Sequence, residues 1–320
     1  MSLHVHLRLL GCCFTQIPGI RVLMATAPQA FPHTRKRHIW ETSFRFASLG
    51  SLALIVGPAM WILIGIVVDA VPHWKWNVLT TSTQGSSGGL ENAILGTLVL
   101  MAGVLVLAGG IGISAGIYLA ELVKVRANGK HGGGLLRSAT NVLAGFPSIV
   151  LGYVGYVALV LGLHWGFSLM PALIILSMMV VPYITRSTES AIRQVPRSYR
   201  EGAEALGMTP GHALRKVVLR SALPGIVTGL LIALAISSGE LAPLLLTAGW
   251  TNSLPSASLV HHQVAYLTYP IWTFYNLPYS QAHYLAYDAA LLLIVMVLLL
   301  LTISRIIVAH TQRHSEGRNA

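Results

Sequence analysis

The sequence predicts an all-α membrane protein with six transmembrane helices and both termini on the cytoplasmic side. Three observations carry this. Only 10% of the 320 residues are charged while 54% are hydrophobic, against about 25% charged in a soluble domain, and mean hydropathy is +0.67. Six apolar runs each reach the ~20 residues that cross a bilayer as helix. Lysine and arginine are segregated to alternate loops.

The runs cover about 48–70, 93–118, 138–163, 167–185, 223–248 and 285–308. Pro58, Pro147, Pro171, Pro182 and Pro243 fall inside them. Spanning helices tolerate proline where neighbouring helices or water cover the freed backbone groups. The chain then divides into an N-terminal tail (1–46), a six-helix domain (47–310) and a short C-terminal tail (311–320).

Before the first run lie Arg8, Arg21, Arg35, Lys36, Arg37 and Arg45; after it comes Lys75 alone. Lys124, Arg126, Lys130 and Arg137 follow the second run, and none follows the third. Arg186, Arg193, Arg197, Arg200, Arg215, Lys216 and Arg220 follow the fourth, none the fifth, and Arg305, Arg313 and Arg318 close the chain. Lys75 is thus the one basic residue out of 21 on its side, a strong positive-inside pattern. It accounts for the net charge of +11 without a nucleic-acid partner.

Residues 1–23 read as an extension upstream of a more ordinary start at Met24. Leu9 to Ile20 is apolar but is broken by Gln16 and Pro18 and is too short to span. The two cysteines, Cys12 and Cys13, are adjacent and form neither a disulfide framework nor a metal pattern. The outward segments 71–92 and 250–284 are rich in Trp and Tyr, which reads as interfacial anchoring, with a docking surface for an extracytoplasmic partner as the alternative. His261 and His262 read as surface residues.

The long basic segment 186–222 is the most informative. Ser198 and Glu201 have the spacing of a capping box, Gly207 suits a helix stop, and Thr209-Pro210 reads as the N-cap and first residue of a second helix. On the first helix Tyr199, Ala203 and Leu206 share a face, away from Arg200, Glu201 and Glu204; on the second, Leu214, Val217, Val218 and Ser221 do so, away from Arg215 and Lys216. The segment therefore reads as two short amphipathic helices that either dock into a cytoplasmic partner or merely link two spans.

Glu201-Gly202-Ala203, Gly207, and Val217 and Leu219 hold the spacing of the Glu-Ala-Ala loop and resemble that loop in permeases of ATP-binding-cassette importers. Gly202, Val217 and Arg220 stand where the family form has Ala, Ile and Pro. The blocks 116–121 (GIYLAE), 143–150 (LAGFPSIV), 182–189 (PYITRSTE) and 239–244 (GELAPL) resemble more specifically the PstA-type permeases of phosphate importers. The resemblance covers about 40–310 of the chain.

It implies a type I (MetI-like) permease fold in a bacterial inner membrane. It also implies a coupling role toward an ATPase for Ser198, Glu201, Gly202, Ala203, Glu204, Leu206 and Gly207. The implied partners are a homologous second permease (PstC-type), an ATPase dimer (PstB-type) and a phosphate-binding protein (PstS-type). The chain holds no G-x-x-x-x-G-K-[ST] sequence, so ATP and Mg belong to the ATPase chain and this subunit is expected to bind no cofactor or metal and to be no enzyme.

Glu240 is the acid deep within an apolar run. A charge at mid-bilayer costs about 2.5–3.5 kcal/mol on insertion scales, so it must face the bundle interior, be paired or be protonated. Gly239 and Pro243 beside it mark a helix break, and a broken helix with an acid is a pathway feature. Ser237 and Ser238 offer hydroxyls to a passing oxyanion or pack between helices; Arg186 at the inner end of the fourth run is a gate contact or a snorkelling residue. Ile236 stands where many phosphate permeases carry Arg, so the anion's positive partner would come from the other permease. Open alternatives are an importer of another oxyanion or small solute, an ion-coupled secondary transporter using Glu240, and a membrane interaction protein without transport.

Overall fold

Lipid offers the backbone no hydrogen-bond partners, so each apolar run must satisfy its own amides as helix. The computed structural model describes residues 35–123 and 132–316. The proposed N-terminal extension, both cysteines, Lys124, Arg126, Lys130 and Arg318 lie outside the described residues. Among the described residues five helices are long and apolar enough to span, and a bent pair makes a sixth. The chain divides into two units, residues 1–60 and 61–320. In the first, α1 (Arg35–Ala70) begins; it carries Pro58 without ending. The second holds everything else.

A short helix, α2 (Asn77–Thr80), and a two-residue hairpin, β1 (Thr83–Gln84) with β2 (Ser87–Gly88), lead into α3 (Glu91–Ile117). The hairpin pairs Thr83 with Gly88 and Gln84 with Ser87. Asn92 fastens it: its Oδ1 accepts from the Thr83 amide at 3.2 Å and the Thr83 hydroxyl at 2.9 Å. Its Nδ2 donates to the Thr251 carbonyl at 2.8 Å. A π-helical turn, Tyr118–Leu122, continues α3.

The third run is not one straight span. Helix α4 (Gly132–Gly145) ends before Phe146-Pro147, and α5 (Ser148–Gly155), continued by a π-helical stretch Tyr156–Gly162, leaves at 100°. Pro147 has no amide to donate, and its ring disfavours helix for the preceding residue. A hydropathy window averages across the bend and sees one run.

Helix α6 (Leu169–Arg193) carries Pro182 inside it and runs well past the predicted boundary near residue 185. After α7 (Arg197–Ala205), α8 (Pro210–Ala213) passes through a π-helical turn, Leu214–Val218, into α9 (Leu219–Ser238). The expected second loop helix is therefore the near end of a spanning helix, Pro210–Ser238. In both cases arginines end the apolar run without ending the helix, which projects beyond the hydrocarbon. Helix α10 (Ala242–Thr247), α11 (Thr268–Thr273) and α12 (Ser280–Glu316) complete the chain.

The core is α3 against α6, with α9 on α6 and α12 and α10 on α5. Leu100, Val104 and Ala108 of α3 meet Leu173, Leu176, Val180 and Ile184 of α6, with Ala233 and Leu234 of α9 and Leu244 of α10. Close approach depends on glycine: a Cβ at Gly112 would lie 2.7 Å from Ile184 Cβ, and one at Gly116 2.5 Å from Thr188 Cβ. Small residues let helices touch where lipid supplies no hydrophobic drive. Apolar side chains turned outward, such as Trp61 at 82% exposure, fit a lipid solvent.

The outward aromatics are of two kinds. Trp76, Trp272, Tyr275 and Tyr279 are exposed, as anchors are, but Tyr266 and Phe274 are buried. Trp250 stacks on Tyr269 at 4.4 Å and meets Phe274 edge-on. The segment after α10 turns back into the core, where Val264 N–H bonds the Ala248 carbonyl at 3.2 Å, and takes those aromatics with it. Interfacial anchoring is thus corrected for Tyr266 and Phe274.

Candidate functional site

Two regions collect the residues singled out in the sequence. The first is α7. Its N-cap is Pro196, with Arg197 as the first helical residue. The capping box expected at Ser198 and Glu201 does not form, because Pro196 already sets the extended backbone (ψ 142) that opens the helix and Ser198 falls inside it. The stop is as expected: Gly207 has φ +73, the Gly207 amide bonds the Glu204 carbonyl at 2.9 Å, and the Met208 amide bonds the Ala203 carbonyl at 3.1 Å. That is a Schellman closure, in which glycine carries the left-handed residue. Thr209 and Pro210 stand as N-cap and first residue of α8.

Ala203 is buried, while Glu201, Gly202, Glu204 and Gly207 are exposed. Tyr199 and Leu206, expected to share an apolar face with Ala203, are exposed at 46% and 78%. The helix therefore presents Tyr199, Leu206 and two carboxylates outward. The sequence pattern places Arg200 away from the apolar face, with no partner in view. Its guanidinium makes a two-pronged pair with Glu121 in the π turn after α3, at 2.7 and 2.6 Å. The carboxylate raises the Arg200 pKa above its ordinary value against the opposing effect of burial.

Arg186 and Glu189 do not pair with each other. Arg186 is exposed and donates to Asn141 Oδ1 of α4 at 2.8 Å. Glu189 receives Arg137 of α4 and Arg193 one turn on, the latter at 2.7 Å. These contacts tie α4 to the same end of α6.

The second region is the break between α9 and α10. Helix α9 ends at Ser238, Gly239 is its C-cap (φ −87, ψ −5), and α10 starts with Pro243 in its first turn. Glu240 and Leu241 lie between. Ser237 and Ser238 are buried, and their hydroxyls donate back to Leu234 and Ala235 at 3.0 and 2.9 Å, which leaves oxygen lone pairs rather than protons for any guest. The Glu240 carbonyl accepts from Thr268 at 3.0 Å, and Ser148, the first residue of α5, lies beside its carboxyl. A Cβ on Gly152 would lie 2.7 Å from Pro243 Cα. The two interrupted helices thus meet at their breaks. Beside them a small hydroxyl-bearing cavity of about 10 Å³ is lined by Thr97, Ser237, Ser238 and Tyr266 among others. His261 and His262 are exposed, and no group of three metal-ligating side chains occurs among the described residues.

Residues 112–315 match the family described as the binding-protein-dependent transport system inner membrane component. The chain belongs to this family. As such it is a multi-pass inner-membrane permease component and not an enzyme. The match takes in α7 and the α9–α10 break. The phosphate transport system permease protein PstA 2 of Mycobacterium bovis is 53% identical over 289 residues, covering 90% of this chain and 94% of its own length. The protein named phosphate transport system permease protein PstA in Yersinia pestis is 33% identical over 86% of this chain. Among solved structures, a chain of the inward-facing MetNI methionine ABC transporter aligns at 21% identity with a TM-score of 0.52, over 79% of this chain and 97% of its own. That likeness supports the MetI-like fold.

Proposed function

We propose that this inner-membrane component translocates inorganic phosphate as one permease subunit of an ATP-driven importer. The observation that carries the reading is 53% identity over nearly the whole chain to a phosphate transport system permease. The site's design agrees with it. Two helices broken at facing positions bring backbone and the part-buried Ser148 and Glu240 together, and irregular backbone at membrane depth is tolerated where it lines a path. The sequence assigns 20 of its 21 lysines and arginines to one side of the membrane, which the positive-inside rule makes cytoplasmic; α7 would then lie where an ATPase can receive it. Tyr199, Glu201, Glu204 and Leu206 would be its contact face.

The remaining parts are a second, homologous permease (PstC-type), an ATPase dimer that binds ATP and Mg (PstB-type) and a phosphate-binding protein (PstS-type). Reconstitution with the products of the neighbouring genes tests the reading. Radiolabelled phosphate uptake dependent on ATP is expected. Uptake of sulfate or molybdate in its place would overturn the choice of substrate.

A further inference from the structure

Helix α7 is nine residues long and has one buried side chain, Ala203. The apolar cluster at this end of the molecule is built from Ala120, Ile192, Val195, Val218, Ala222 and Ile226. It fixes the segments before and after α7 but takes no residue from α7 itself. Helix α7 packs on α8 and on the π-helical turn Leu214–Val218 at the near end of the span Pro210–Ser238, and the Arg200–Glu121 pair ties it to α3. The pair's two members are 26% and 19% exposed, so solvent screens it only in part, and the fork of the guanidinium on both carboxylate oxygens fixes direction as well as distance. Arg193, at the end of α6, donates to the Leu119 carbonyl of the same turn at 3.4 Å, so the turn is also held to α6.

Glu121 stands in a π-helical turn, a local irregularity that is frequent at functional sites. From that turn α3 runs the full span to Glu91. Along the way Gly112 and Gly116 seat it against Ile184 and Thr188 of α6. At its far end Asn92 holds both the β1–β2 hairpin and the Thr251 carbonyl. A displacement of α7 delivered through Glu121 therefore reaches the opposite face by one continuous, side-packed rod. The covalent alternatives are softer: Pro196 and the left-handed Gly207 bound α7 at turns.

We propose that Arg200 and Glu121 are positioning residues that strap α7 to α3, so that movement of α7 is transmitted through α3 to the hairpin at the far face. This rests on the reading of α7 as the ATPase-contacting helix, but not on the identity of the substrate. The pair lies 79 residues apart in sequence, and neither member is part of the exposed face that would meet the ATPase.

The test uses the complete reconstituted complex with a fluorophore on Gln84→Cys in the hairpin, in a background where Cys12 and Cys13 are serine. The signal is the fluorescence change on adding ATP with vanadate, which requires no substrate. ATPase co-purification and basal ATP hydrolysis are measured alongside. Arg200→Gln and Glu121→Gln are expected to keep co-purification and hydrolysis while losing about tenfold of the hairpin signal, the scale of a charge-assisted bond. The swap Arg200→Glu with Glu121→Arg is expected to recover most of it.

The strap is overturned if the wild type gives no hairpin signal, or if either single variant keeps the wild-type signal. It is equally overturned if the singles lose co-purification and the swap restores nothing, since the pair would then serve only to fold the loop. A wild-type complex that gives the hairpin signal but imports no phosphate would instead overturn the substrate.

Discussion

Ser148 and Glu240 face one another across two helix breaks: the hydroxyl at the start of α5, just past Pro147, lies beside the carboxyl just past the C-terminus of α9. Each break alone would leave polar groups in an apolar bundle. Together they bring a hydroxyl and an acid side by side where the helices part. Glu240→Gln keeps the shape but removes the charge. ATP-dependent phosphate uptake is expected to fall about tenfold or more, with membrane levels unchanged by immunoblot. Ser148→Ala, which removes the hydroxyl beside that carboxyl, should cost about fivefold. Wild-type uptake in both variants would make the contact incidental to transport.

Glu201 sits on the exposed face of α7 with Glu204, Tyr199 and Leu206. A lysine there breaks no internal contact and reverses the charge offered to a partner. Glu201→Lys is therefore expected to insert normally and to abolish ATP hydrolysis coupled to the loaded binding protein. Leu206→Ala should weaken retention of the ATPase by about 1–2 kcal/mol, through loss of a buried apolar contact, read as co-purifying ATPase. Unchanged ligand-stimulated hydrolysis in Glu201→Lys would remove α7 from coupling.

The spans were legible because lipid forces apolar runs of a fixed length, and the break at Glu240 was legible because Gly239 and Pro243 bracket it. The bend at Pro147 was not, since proline occurs in both straight and broken helices: α6 carries Pro182 without breaking. The ends of α6 and α9 were misplaced for one physical reason. Hydropathy reports where lipid ends, whereas Arg193 and Arg215 lie on helical stretches that continue beyond it. The Ser198 cap failed because Pro196 competes two residues earlier. The Arg200–Glu121 pair had no local signal at all, since its members come together only when α3 packs on α6.

The α3–α6 seam makes a direct stability test. Gly116 has no room for a side chain, with Thr188 Cβ and the Thr185 carbonyl within 2.8 Å of any Cβ. Gly116→Leu must push the helices apart, at about 1–3 kcal/mol for overpacking. Gly110, on the same helix, has open space where a Cβ would lie, with nothing within 4 Å, and Gly110→Ala should be neutral or slightly stabilising through helix propensity. Thermal melting of the detergent-purified protein reads both. Equal melting points would contradict the tight seam.

Asp288 of α12 is 2% exposed and its Oδ1 has no hydrogen-bond partner in the structure. It borders a cavity of about 510 Å³ between the start of α12 and the loop after α1, where His73 stacks on Tyr284 at 3.8 Å. A buried carboxylate oxygen without a donor costs about 1–3 kcal/mol or more. Asp288→Asn removes the charge at nearly constant volume and should raise the melting temperature by about 2–4 °C, with uptake unchanged. A fall in melting temperature confined to the assembled importer would mean that a donor from a partner subunit meets the carboxylate there. A fall in the isolated chain would mean that the carboxylate is satisfied within it.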